Sequence, residues 1–245
     1  MAARLLADHL AAVQRQEAAL PDPEAVHRMR VATRRLRTVL RLLRLRALDP
    51  EVKRLQDALG EVRDLQLQVQ WLRTRDAALH RSRQSRLRTA EKALEREVER
   101  WRMRTLPAIL EAAASSSAPS RRKISRTLRK RVRRLHEALE LARVRPNPAR
   151  IHAARISAKK LRYLVEVAGD SLPRRVTRVH ADLKSLHASL GQLHDLDLRI
   201  ALVRRRPALL REQQDARERL GRVAAAQLAR WHKQHLLDRV SAELH

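Results

Sequence analysis

The sequence predicts an all-α chain built as two antiparallel four-helix bundles. Three observations carry this reading. Apolar residues recur at helical spacing almost throughout, and no stretch shows the period-two alternation of a half-buried strand. The prolines gather mainly at the ends of the periodic stretches, where they stop or start helices. The same order of segments occurs twice, on either side of the one low-complexity stretch, Ser115-Ser116-Ser117-Ala118-Pro119-Ser120.

Each element follows in turn. Residues 3–20 have helical periodicity and stop at Pro21-Asp22-Pro23. Asp22 is placed to cap the next helix, with Pro23 at its first position. That helix is expected to end near Asp49-Pro50. A third is expected over 51–76, with Val52, Leu55, Leu59 and Val62 facing inward. A fourth is expected over 78–114, carrying Trp101 and kinked near its end by Pro107. Beyond the Ser-rich linker, 121–144 reads as a very basic helix, and Arg145-Pro146-Asn147-Pro148 breaks the chain and caps the next. Further helices are expected over 149–168, 174–206 and 207–245, with Gly169 to Pro173 as a turn. Short turns make successive helices antiparallel neighbours. The halves are 1–114 and 121–245.

The organising stretch is VHRMRVATRRLRTVLRLLRLRAL, from Val26. Wound as a helix, it puts Met29, Leu36, Val39, Leu40 and Leu43 on one side. His27, Arg30, Arg34, Arg37, Arg41 and Arg44 form a ladder on another. Cations one turn apart repel each other, and no Glu relieves them. The ladder recurs 125 positions later: HAARISAKKLRY from His152 aligns with HRMRVATRRLRT from His27. His152, Arg155, Lys159 and Arg162 repeat His27, Arg30, Arg34 and Arg37.

A second signature repeats as well. VKRLQDALGEVRDLQL from Val52 aligns with LKSLHASLGQLHDLDL from Leu183. Lys53, Gln56, Gly60 and Arg63 share a face in the first copy; Lys184, His187, Gly191 and His194 share it in the second. Glycine inside a helix costs about 1 kcal/mol relative to Ala. Its repetition indicates a close approach to the backbone, by a packed neighbour or by a ligand. Asp64 and its repeat Asp195 read as anchors for a neighbouring Arg or His.

Composition limits the partners. There are 55 Lys and Arg against 27 Asp and Glu, a net charge of +28, and 47 of the basic residues are Arg. Such an excess attracts polyanions, and the guanidinium fork grips phosphate bidentately. Aromatic residues are 2% of the chain, poor material for stacking on unpaired bases. There is no Cys, so thiolate and disulfide chemistry are excluded. No apolar run approaches a membrane span, and the N-terminus is interrupted by charge too early for a secretory signal. A cytoplasmic protein without a membrane partner is expected.

The string His27-Arg28-Met29-Arg30-Val31-Ala32-Thr33-Arg34-Arg35-Leu36-Arg37 resembles the hallmark of the CHAD family, the conserved histidine α-helical domain. HAARISAKKLRYLVE from His152 resembles the second hallmark, and LGQLHDLDL the segment that follows it. The resemblance covers the chain as a single CHAD domain, 1–245. It implies two four-helix bundles related by a pseudo-twofold axis, a basic central channel, binding of inorganic polyphosphate, and association with polyphosphate granules. The candidate polyphosphate contacts are His27, Arg30, Arg34, Arg37, Arg41, Lys53, His152, Arg155, Lys159, Arg162 and Lys184. Arg30 with Arg37, and Arg155 with Arg162, are expected to serve binding and to be dispensable for folding. The first copy departs from the pattern at Gln66, where the second has Asp197. The E-x-E-x-K motif of the triphosphate tunnel domains often joined to this family is missing, so no catalytic residue, cofactor or metal is expected.

Two other classes compete. A nonspecific nucleic-acid binder fits the charge, and such binding at low salt is expected as a secondary property. A metal-dependent phosphohydrolase would draw on His194-Asp195, or on the heptad-spaced His180, His187 and His194. The first copy has Arg63-Asp64 there, and a guanidinium cannot replace a ligating imidazole, which argues against a repeated metal centre and leaves a lone site in the second half open.

Overall fold

The computed structural model describes residues 2–169, 172 and 174–233. Among these residues the regular structure is entirely helical. The chain divides into two compact units, 1–120 and 121–245, at the end of the Ser-rich stretch.

In the first unit, α1 (Ala2–Gln14), α2 (Pro23–Leu42), α3 (Asp49–Leu72) and α4 (Ala77–Arg100) pack each against its predecessor. A π-helical turn, Trp101–Thr105, leads into α5 (Leu106–Ala114), which returns to α1. Asp22 caps α2 as expected: its Oδ1 accepts from the Glu24 and Ala25 amides at 2.9 and 3.0 Å. The apolar side of α2 is inside, with Val26, Met29, Leu36, Val39 and Leu40 fully buried against Val52, Leu55, Leu59 and Val62 of α3 and the rest of this core.

The basic helix is shorter than its periodicity suggests. It stops at Leu42, because Arg44 adopts a left-handed conformation, φ 67°. The Leu45 amide then donates to Leu40 O at 2.8 Å and the Arg44 amide to Arg41 O at 3.4 Å. This is a Schellman turn with Arg at the position usually held by Gly. Arg44 therefore leaves the ladder. The break predicted at Pro107 begins upstream. Proline lacks an amide hydrogen and crowds the carbonyl four residues back, and the preceding turn widens so that the Leu106 amide reaches Trp101 O. Trp101 is core, and its indole donates to Glu17 at 2.9 Å.

In the second unit, α6 (Arg121–Val144), α7 (Pro148–Ala168), α8 (Arg174–Val203) and α9 (Pro207–Lys233) pack in sequence, with α9 also against α6. Asn147 caps α7, its Oδ1 accepting from the Arg150 amide at 2.9 Å. The core is Leu128, Val132 and Leu135 of α6, Ala154, Ala158 and Leu161 of α7, Leu183, Leu186, Leu190 and Leu193 of α8, and Leu228 and Trp231 of α9. Helix α8 ends before the predicted Arg206, since a residue preceding proline is driven out of the helical region. The predicted extension of α9 to His245, including His235, lies outside the described residues.

Candidate functional site

The capped start of α2 sets the phase of its polar side. His27 is exposed on the second turn. Its pKa is lowered by partial desolvation, then by Arg63 of α3, and by Arg30 and Arg34; Glu24 opposes them. Arg30 lies across α3 at Gly60. A Cβ at that glycine would stand 3.5 Å from Arg30 Nε, and Arg30 Nη2 is 3.7 Å from Asp64 Oδ1. Arg34 is half-buried, and its Nε has no hydrogen-bond partner.

The next two rungs differ. Arg37 grips Asp49 with both ends of its fork, Nε to Oδ1 at 2.8 Å and Nη2 to Oδ2 at 3.2 Å, and donates from Nη1 to Gln56 at 3.0 Å. Its side chain is 12% exposed. Arg41 Nη2 reaches the same carboxylate at 2.7 Å. Burial acts to raise the Asp49 pKa, but the hydrogen bonds and charges of Arg37 and Arg41 outweigh it and hold the carboxyl below its ordinary value. These two rungs join the start of α3 to α2. Lys53 is exposed and pairs with Asp57 one turn on.

The second unit reproduces the central contact. Arg155 lies across α8 at Gly191, where a Cβ would stand 3.6 Å from Arg155 Nε. The repeated glycine therefore faces a guanidinium from the ladder helix in each unit. His152 is half-buried, with its Nδ1 3.4 Å from Nδ1 of His194 and the ring centroids 4.5 Å apart. Burial lowers its pKa, and Arg155 and Lys159 lower it further. Arg162 binds Glu166 one turn along α7, and Glu166 Oε1 also meets His180 Nε2 at 2.8 Å. Lys159 is half-buried and Lys184 exposed.

Several participants were missed by reading the ladders alone. Arg63 and His194 occupy equivalent positions of the second repeat, and each sits beside the ladder histidine of its own unit. Their sharing a face with Gly60 and Gly191 was the available signal. Asp49 looked like a helix boundary, and Glu166 gave no sign of its role. The departure at Gln66 has a local reason. Its amide donates to Pro21 O at 2.9 Å across the α1–α2 turn, whereas Asp197 pairs with Arg217 of α9. The heptad histidines do not converge, since His180 turns to Glu166 and His194 to His152. Among the described residues, no group of three or more His, Cys, Asp or Glu is placed to hold a metal ion.

An all-helical protein with a twice-repeated basic helix is thus defined. The family model for the CHAD domain matches residues 4–204, and the chain belongs to that family, one associated with polyphosphate binding. The crystal structure of the CHAD domain from the plant Ricinus communis is similar, with a TM-score of 0.68 and 25% sequence identity over 99% of this chain and 90% of that one. Comparison with curated proteins gives no match. Among the described residues, no helix is long and apolar enough to cross a membrane.

Proposed function

We propose that this protein binds inorganic polyphosphate without turning it over, through the polar sides of its two ladder helices, and that this affinity directs it to polyphosphate granules. The observation that carries the reading is the duplicated placement of Arg30 over Gly60 and Arg155 over Gly191 in a CHAD chain. A linear polyphosphate is a thin, base-free row of negative charge. It calls for repeated Arg and Lys, needs no aromatic platform, and reaches half-buried cations that a bulkier polymer cannot. Its binding draws free energy from released counterions, as for other polyanions. His27 and His152, each one turn before an Arg, are positioned to meet the same chain.

Competition at physiological salt between labelled long-chain polyphosphate and unlabelled nucleic acid tests the preference. Polyphosphate is expected to win. The pairs Arg30→Gln with Arg34→Gln, and Arg155→Gln with Lys159→Gln, are each expected to weaken its binding. Normal binding by both pairs would sink the assignment of the ladders. Sustained phosphate release with added Mg²⁺ or Mn²⁺ would replace the binding reading with an enzymatic one.

A further inference from the structure

Helix α6 carries a second basic surface that the ladders do not include. From Arg121 to Arg134, nine residues are Lys or Arg and none is Asp or Glu. Ile124, Leu128, Val132 and Leu135 turn inward and are buried. Arg122, Arg126, Lys130, Arg133 and Arg134 are exposed. Arg133 lies 3.7 Å from Glu137, where the basic run has already ended, and both side chains are well exposed. Such a pair contributes little.

These charges do not serve the helix that carries them. Cations at spacings of three and four residues repel, and those in the first turn oppose the helix macrodipole. A row of like charges on an open face creates a local positive field that suits an anionic partner. Its shape distinguishes it from the ligand of the ladders. The side chain of Arg30 is 22% exposed and its repeat Arg155 is half-buried, within reach of a thin polymer. The α6 row faces away from its core and is exposed along its length, so a wide, stiff rod can reach it as well. No Phe, Trp or Tyr lies on α6, and its one His, His136, follows the basic run, so unpaired bases would find little stacking platform along the row. A duplex shelters its bases and presents phosphate alone. Arg122 to Arg134 spans about 18 Å at ~1.5 Å per residue, the length of roughly five base pairs at ~3.4 Å each.

We propose that the exposed face of α6 binds the phosphate backbone of duplex nucleic acid, separately from the ladders. The full-length chain is titrated against a defined DNA duplex and a defined RNA duplex, by fluorescence anisotropy, across a fourfold rise in salt. Five phosphate contacts correspond to a slope of about −4.5 and a loss of about 500-fold in affinity. In the variant Arg126→Gln, Lys130→Gln, Arg133→Gln, about three contacts disappear, leaving a slope near −1.8 and a loss of about 12-fold. The variant Arg122→Gln, Arg134→Gln falls between. Removing like charges from an exposed face leaves the apolar face intact, so the unfolding midpoint stays at or above that of the parent. Polyphosphate affinity is expected to persist in the α6 variants and to fall in Arg30→Gln, Arg155→Gln, which keeps duplex binding. A parent-like slope in the triple variant would overturn the proposal. So would an equal loss of both ligands in every variant, the mark of one undivided polyanion surface. A parent that binds duplex but not polyphosphate would refute the ladder reading and support this one.

Discussion

Replacing Arg37 with Ala should unfold the first unit more readily, whereas replacing Arg34 should not. Arg37 is one of the most buried ladder side chains and makes three hydrogen bonds, two to Asp49 and one to Gln56. A hydrogen bond to a charged group contributes about 1.5–3 kcal/mol, and stranding a buried partner adds a penalty. Arg41 still reaches Asp49 in the variant, which limits that penalty. The expected loss is about 2–3 kcal/mol, or roughly 6–12 °C in the melting temperature of a unit this size. Arg34 has no hydrogen-bond partner on its Nε, and Arg34→Ala is expected to cost about 0.5 kcal/mol or less. The effect at Arg37 also carries a pH signature. The Asp49 pKa lies below its ordinary value of 3.8. Its contribution is therefore present above that value and lost as pH falls through the lowered one. The gap between parent and Arg37→Ala should close in acid. Urea unfolding followed by circular dichroism, from neutral pH down to about 2, measures both effects. An Arg37→Ala chain with the parent's midpoint at neutral pH would refute the reasoning.

Three further predictions follow from local geometry. A Cβ at Gly60 or Gly191 makes ordinary contact with the guanidinium, at 3.5 and 3.6 Å, so Gly60→Ala and Gly191→Ala should fold normally and gain up to about 1 kcal/mol of helix propensity. Gly60→Leu should instead displace Arg30 and weaken polyphosphate binding; an unchanged affinity would remove Arg30 from the site. Arg44→Gly should stabilise by up to about 1 kcal/mol, because glycine adopts positive φ without a Cβ penalty; thermal melts would show a lower midpoint if Arg44 instead makes a contact that matters. His27 and His152 have lowered pKa values in the protein without ligand, and a bound anion favours the imidazolium. Polyphosphate should then bind with proton uptake and lose affinity as pH rises from about 6 to 8. Titration calorimetry in two buffers of different ionisation enthalpy, with His27→Gln, His152→Gln as control, would show no uptake if both histidines serve structure alone.

The helical class, the inward faces and the two caps were determined by local pattern. Periodicity decides which side of a helix is buried, and Asp22 and Asn147 act within three residues of their own position. The repeats by themselves also mark His27, Arg30, His152, Arg155 and the two glycines. Sequence did not separate a rung that ties two helices together from one that does not, because Arg37 and Arg34 look alike along one helix. Asp49 and Gln56 on the next helix distinguish them, and Glu166 does the same for Arg162. Nor did it locate the end of α2, where no Gly or Pro marks the left-handed turn at Arg44. The glycines illustrate the division most directly. Their repetition signalled a close neighbour, but only packing between helices identified it as a guanidinium, because a contact is a property of two elements and periodicity of one.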